Sequence, residues 1–243
     1  SKFGIPLDQD IIMPAIQAAI ESPFVELVGL HFHVGSQLLD NASHLQALDV
    51  LLDLVSSTKE QFNYDFTELN IGGGFGIHYT DETAPPYSYF ITPMMEKIKD
   101  YYKARELPLP AVVVEPGRSI VGENGMTLYT VGSIKNIPGI RKYVSVNGGM
   151  GDNLRPALYG ARYAAVLANK ADMAPKETVT ISGKYCESGD ILIRDISLPV
   201  AETGDVLAVF STGAYGYSMA NNYNKNPIPG VLLVKEGQAQ WMV

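Results

Sequence analysis

Residues 111–122 read AVVVEPGRSIVG, and this stretch constrains the fold more than any other in the chain. Four small or β-branched apolar residues run directly into an acid, a proline, a glycine and an arginine. A continuous apolar run of this kind suits a strand buried on both faces, as in the parallel sheet of an α/β protein. Pro116 ends the strand because it has no amide proton for the ladder. Glu115 and Arg118 are therefore expected at the carboxyl end of a buried strand, the edge where α/β barrels and open sheets place ligand chemistry.

The residues before this strand alternate between helical and extended patterns. Apolar residues at three-four spacing predict a helix over residues 8–20, with Asp8 as its N-cap. Residues 24–32 are apolar and β-rich, and an amphipathic helix is predicted over 41–59. A short buried strand follows at 66–71, closed by three glycines, and a third helix at 93–105 leads into Ala111. This alternation belongs to a βα barrel or a doubly wound sheet. Only three strands of it are present, and an eight-fold barrel needs roughly 250 residues, so either the sheet is small and open or an amino-terminal part of a barrel is missing.

From Thr127 the pattern changes to short β-type runs at 127–134, 143–146, 178–182, 205–210 and 231–235, punctuated by Gly, Pro and Asn. Such a pattern predicts a mostly antiparallel β-domain, interrupted by one short helical stretch at 215–222. Two domains are expected, residues 1–118 and residues 119–243, with chemistry at their seam. The 243 residues are ample for two cores, and 46% hydrophobic with 18% charged residues fits a globular protein. A formal net charge of −8 argues against a general nucleic-acid binder, which needs a basic face. One cysteine excludes an internal disulfide framework and any CxxC metal site. No apolar run reaches membrane-spanning length and no leader pattern opens the chain, so a cytoplasmic protein with no membrane partner and no metal is expected.

Candidate site residues fall at the ends of these elements. His31 and His33 close the first strand on one face, followed by Gly35 and Ser36. A strand histidine is often just a core or rim residue, but glycine lets backbone approach a ligand and a serine hydroxyl can donate to phosphate. Gly72, Gly73 and Gly74 close the second strand; consecutive glycines make either a tight turn or a nest of amides for an anion. Glu115 and Arg118 read as a surface ion pair or as a site at a strand mouth. Cys186 stands in KYCESGD, among polar groups where a thiol can act as a proton donor, although a lone cysteine is more often a small hydrophobe. Two further stretches, DNLRPALY at 152–159 and GAYGYS at 213–218, are dense in groups that bind anions.

Together these segments resemble the fold type III family of pyridoxal-phosphate-dependent decarboxylases, over essentially the whole chain. HFHVGSQ, LNIGGGFG and EPGR are similar to motifs of the wider family, which includes ornithine and arginine decarboxylases. DNLRPALYGARY, CESGD and GAYGYSMANNYN resemble its diaminopimelate branch. The resemblance implies the C-terminal part of a TIM-type (β/α)8 barrel followed by a mostly antiparallel β-domain, a homodimer with shared active sites, and pyridoxal 5'-phosphate as cofactor. It implies decarboxylation of diaminopimelate to lysine, the last step of lysine biosynthesis. The alternatives are a non-catalytic pyridoxal-phosphate-binding paralogue and a decarboxylase of another diamino acid such as ornithine or carboxynorspermidine.

The resemblance also assigns roles. His33 would stack on the pyridine face, and Ser36, Gly72, Gly73, Gly74, Gly117 and Arg118 would hold the phosphate. Glu115 would face the ring nitrogen and keep it protonated. Arg118 and Arg155 would grip substrate carboxylates, Tyr159 and Tyr215 would complete the pocket, with Tyr215 also near the phosphate, Cys186 would be the catalytic proton donor, and Glu187 would bind the distal ammonium, these last two reaching in from the partner subunit. Diaminopimelate carries a second carboxylate and amine, which Arg155 and Glu187 are suited to receive. The family's cofactor-binding lysine lies in a Tyr-Ala-x-Lys-Ala-Asn type segment on an early barrel strand. No such segment occurs here, and the expectation is that this chain lacks the early barrel and does not decarboxylate alone.

Overall fold

A computed structural model describes residues 2–242, which divide into two compact units: residues 2–77 with 83–119, and residues 78–82 with 120–242. The sequence division put residues 78–82 in the first unit. They group with the second because Tyr79 accepts the Ala164 amide through its carbonyl (3.1 Å) and packs edge-on against Tyr163, while the Ser211 hydroxyl donates to the His78 carbonyl (2.9 Å).

The first unit runs α1 (Gln9–Glu21), β1 (Gly29–His31), α2 (Ala42–Phe62), β2 (Glu68–Gly73), α3 (Tyr87–Ala104) and β3 (Ala111–Glu115). The strands form one parallel sheet in the order β1-β2-β3, so all three carboxyl ends lie on one edge. Asp8 caps α1 by accepting the Asp10 amide. Its core lies between α2 (Leu48, Leu52), β2 (Leu69, Ile71) and α3 (Phe90, Met94), all at most 5% exposed.

Three expectations need correction. The strand at 111–115 is not buried on both faces: Ala111 and Val114 are exposed, Val112 alone packs against the core, and the sheet partner β2 occupies only one of its edges. The central strand β2 is the buried one. The third helix begins at Tyr87 rather than at Pro93, because fully buried Phe90 anchors an extra turn and a half, and the proline is accepted inside the helix. The β-rich run at 24–32 forms a strand only at its end, where β1 registers on Glu68–Asn70; Phe24 is 91% exposed.

A four-residue helix, α4 (Arg118–Val121), leads out of the first unit. The second unit contains β4 (Thr127–Ile137), β5 (Arg141–Val146), α5 (Arg155–Tyr159), β6 (Ala165–Leu167), β7 (Glu177–Ser182), β8 (Ile191–Leu198), β9 (Val206–Val209), α6 (Gly216–Met219) and the hairpin β10 (Leu232–Lys235) with β11 (Gln238–Trp241). Six strands form one sheet in the order β6-β9-β4-β5-β7-β8, antiparallel at every step except β5 with β7. The unit is mostly antiparallel, as its punctuation implied. The helix expected at 215–222 shrinks to Gly216–Met219, since Tyr215 takes a left-handed backbone (φ 65°) and the chain leaves helical geometry at Ala220.

Candidate functional site

In the first unit the carboxyl edge of the sheet gathers the sequence-predicted residues. The loop after β1 carries His33 and Ser36, the turn after β2 carries Gly74, and Glu115 ends β3 ahead of Gly117 and Arg118. Arg118 is only 7% exposed, and its Nη2 donates to the Ser36 hydroxyl at 2.8 Å. A guanidinium and a hydroxyl held together in this way form a positively polarised cradle suited to an anion.

The glycines are required for close approach. Gly72 and Gly74 have left-handed backbones, φ 70° and 86°. A Cβ at Gly72 would overlap the Phe32 carbonyl, one at Gly73 the Glu115 carbonyl, and one at Gly74 the Gly35 carbonyl. The β1 and β3 loops thus press on the β2 turn from both sides, and no side chain fits between them. The turn is tied further by Leu38, whose amide donates to the Gly74 carbonyl (2.9 Å), and by His44, whose Nε2 meets the Gly73 carbonyl at 2.9 Å.

Glu115 is half solvent-facing and sits in a small polar network. Asn70 Nδ2 donates to its Oε1 (2.8 Å), while Asn70 Oδ1 accepts the Gly72 amide (2.9 Å). His31 Nε2 lies 3.4 Å from Glu115 Oε2. Asn70 was not among the sequence-predicted residues. Its position in LNIGGG, two residues before the glycines and on the outward face of the strand, is the signal that could have found it.

In the second unit α5 presents Arg155. Its guanidinium carbon lies 5.5 Å from the ring centres of both Tyr159 and Tyr215, and its Nε donates to the Tyr163 hydroxyl at 2.9 Å. Sequence reasoning placed Arg155, Tyr159 and Tyr215 together but missed Tyr163, which is buried and fixes the arginine from behind. Burial raises the Tyr163 phenol above its usual pKa against the opposing charge of Arg155, so it stays a neutral partner. Tyr215 takes a left-handed backbone (φ 65°), which costs about 1–2 kcal/mol for a residue with a Cβ.

Cys186 and Glu187 occupy a separate turn between β7 and β8, both exposed. The turn is closed by the Glu187 amide on the Tyr185 carbonyl (2.8 Å) and the Asp190 amide on the Glu187 carbonyl (3.1 Å). A cleft of about 700 Å³ also opens in this unit, lined by residues such as Asp81, Arg162, Tyr163 and Arg194, but none of the sequence-predicted site residues lines it. Among the described residues no cluster of His, Cys, Asp and Glu could hold a metal ion, and no helix is long and apolar enough to cross a membrane.

Comparison with known proteins gives a consistent result. The family profile described as "Pyridoxal-dependent decarboxylase, pyridoxal binding domain" matches residues 1–122. The chain is 48% identical over 244 residues to the diaminopimelate decarboxylase of Bacillus methanolicus, covering 100% of this chain and 56% of that protein. It is 46% identical to that of Bacillus subtilis over the same shares. The crystal structure of diaminopimelate decarboxylase from M. jannaschii in complex with L-lysine superposes with a TM-score of 0.88 at 37% identity, covering 99% of this chain and 54% of that one. The chain thus spans little more than half the length of the relatives it matches.

Proposed function

This chain belongs to the pyridoxal-dependent decarboxylases, and from that premise we propose that it carries the phosphate cradle and the substrate loops of a diaminopimelate decarboxylase. The observation that carries this reading is the Arg118–Ser36 pair, 2.8 Å apart, at the carboxyl ends of parallel strands beside the glycine turn. These residues fit pyridoxal phosphate: a buried cation and a hydroxyl for the phosphate, and a carboxylate at the same sheet edge for the ring nitrogen. When bound, the cofactor supplies an electron sink for the carbanion left by loss of carbon dioxide, and its strength depends on a protonated ring nitrogen.

The chain's own residues account for the rest. Ser36, Arg118 and the turn of Gly72, Gly73 and Gly74, with Gly117, bind the phosphate. Burial of Arg118 and its bond to Ser36 favour that role over a second one on the substrate. With the cofactor bound, His33 would pack on its ring, and Glu115, braced by Asn70, would hold a proton on the ring nitrogen. Arg155, stacked between Tyr159 and Tyr215, forks onto the distal substrate carboxylate. Reaching into the site of the second subunit, Cys186 delivers the proton that replaces carbon dioxide, and Glu187 pairs with the distal ammonium. The three parallel strands are part of a (β/α)8 barrel, and the β-unit meets a second subunit in a head-to-tail homodimer.

Equilibrium binding separates this reading from its competitors. Pyridoxal phosphate should bind this chain at least about tenfold more tightly than pyridoxal, since a charge-assisted contact is worth about 1.5–3 kcal/mol, and Arg118→Met should abolish the difference. Equal affinity for the two would remove the cradle assignment. In the holoenzyme, Glu187→Gln should mainly raise KM for diaminopimelate and Cys186→Ala should mainly lower kcat. Ornithine turned over as fast as diaminopimelate would overturn the substrate assignment.

A further inference from the structure

The acidic residue that closes the KYCESGD segment has no role in the chemistry above, yet it is among the most enclosed charged groups of the second unit. Asp190 is 3% exposed. Its Oδ1 accepts the Met150 amide at 2.7 Å and its Oδ2 accepts the Tyr185 amide at 2.8 Å. The two amides come from different loops, one following β5 and the other following β7. Glycines make the approach possible: a Cβ at either Gly149 or Gly183 would overlap both carboxylate oxygens. Backbone bonds run the same way, from the Gly183 amide to the Asp190 carbonyl (2.9 Å) and from the Lys184 amide to the Gly148 carbonyl (2.9 Å).

Each loop leads to a group with a proposed substrate role, Arg155 in the chain's own site and Cys186 with Glu187 in the site shared with the second subunit. Tyr185 is followed directly by Cys186 and Glu187. Met150 lies in a turn that Asp152 closes on the Gly149 amide (2.9 Å), with the Asn153 amide also on the Gly149 carbonyl (3.0 Å), and that turn runs into Arg155 at the start of α5. We infer that Asp190 is a positioning residue, whose carboxylate grips the Met150 and Tyr185 amides and so holds the turn bearing Cys186 and Glu187 in register with the loop that delivers Arg155. The inference rests on the decarboxylase reading only in naming those three residues as substrate groups. The grip itself is a property of the fold.

Asp190→Asn keeps the shape but only one accepting oxygen, leaving an NH2 group facing an amide donor. Amide hydrogen exchange on the purified chain should show Met150 and Tyr185 protected in the unmodified protein. At least one of them should exchange about ten- to a hundredfold faster in the variant, the scale set by losing one charge-assisted bond. Cys186 is the only cysteine, so its labelling by an aromatic disulfide reagent reports the turn directly and should accelerate about threefold or more. Asp195→Asn, an exposed carboxylate on β8, should change neither rate. Unchanged exchange and labelling in Asp190→Asn would overturn the inference. If that variant does not fold, Met150 and Tyr185 amides in the unmodified chain that exchange as fast as those of Cys186 and Ser188 would overturn it, and slower exchange would support it.

Kinetics of the holoenzyme separate positioning from general weakening. Asp190→Asn should lower kcat and raise KM for diaminopimelate together, because Cys186 and Glu187 ride on one turn, whereas simple loss of folded enzyme lowers apparent kcat at constant KM. If Cys186→Ala leaves kcat untouched while the exchange result holds, the decarboxylase assignment of the turn fails and the grip of Asp190 stands.

Discussion

Replacing Gly74 tests the cradle at its tightest point. Two costs are distinct there: the left-handed backbone, φ 86°, and the overlap of any Cβ with the Gly35 carbonyl. The first is about 1–2 kcal/mol for a residue with a Cβ, and forcing atoms into packed backbone adds about 1–3 kcal/mol. Gly74→Ala should therefore destabilise the first unit by about 2–5 kcal/mol, seen in chemical denaturation as a lower midpoint at unchanged slope. Gly74→Asn discriminates between the two terms. Asparagine tolerates left-handed backbone far better than alanine but carries the same Cβ. If overlap dominates, asparagine recovers little. A Gly74→Asn protein within about 0.5 kcal/mol of the unmodified chain, the usual scale of a surface change, would show that the strand ends are not pressed together and would refute the close-approach argument for the whole glycine turn. Because the Gly74 carbonyl also receives the Leu38 amide (2.9 Å), displacement here moves the loop that carries Ser36. Binding of pyridoxal phosphate should fall with stability, and a variant that lost stability but bound the cofactor normally would detach the turn from the cradle.

Asn70→Ala removes both the donor to Glu115 and the acceptor of the Gly72 amide; at this half-buried position the loss should be about 1–2 kcal/mol, measured by denaturation. Asn70→Asp should be worse at neutral pH, since it sets a second carboxylate against Glu115, and should improve on acidification; an Asp variant insensitive to pH would contradict the network. Asp205, 5% exposed, gives an acid-stability prediction. Burial alone would raise its pKa, but the Lys170 ammonium (2.8 Å), the Asn169 amide (2.8 Å) and the Glu202 backbone amide (2.8 Å) outweigh it, so the folded pKa lies below the ordinary value. A depressed carboxylate contributes stability above its unfolded pKa of about 3.9 and loses it as pH falls through the folded value. Asp205→Asn should flatten that acid limb in melting curves taken below about pH 4, where the unfolded carboxylate protonates. Parallel loss in both proteins would sink the assignment.

The division of the sequence into an α/β part and a β part was legible because each rests on hydrophobic periodicity, a local property. The failures have nonlocal causes. Residues 87–92 carry no helix-start signal before Pro93, and they become helical because Phe90 is drawn into the core beneath α2. Strand β8 was not anticipated, since Arg194 and Asp195 interrupt its alternation; Asp195 takes φ 52° near a register shift against β7, a bulge that only the partner strand makes tolerable. The run at 111–114 was overread for a related reason. Four consecutive apolar residues mean burial on both faces only when layers cover both; within this chain, which spans about half the length of its relatives, β3 is an edge strand and its Ala111 and Val114 are exposed.

Within the candidate site, the motif residues could be named from the sequence and the residues packed against them could not, and the physical reason is the same for each of the latter. Ser36, Gly74, Glu115 and Arg118 stand at strand ends, where residue type and position together imply chemistry. Asn70, Tyr163 and Asp190 act at one remove: each is ordinary in composition and gains its role from the partner that folding brings to it. A tyrosine in GARY says nothing until Arg155 Nε rests on its hydroxyl. The acid of CESGD reads as one more polar turn residue until two amides from separate loops converge on it. Supporting residues of this kind can be found from sequence only by asking which nearby polar side chain would be buried once the motif is in place, and at 3% exposure with both oxygens occupied, Asp190 is the case where that question has the largest consequence.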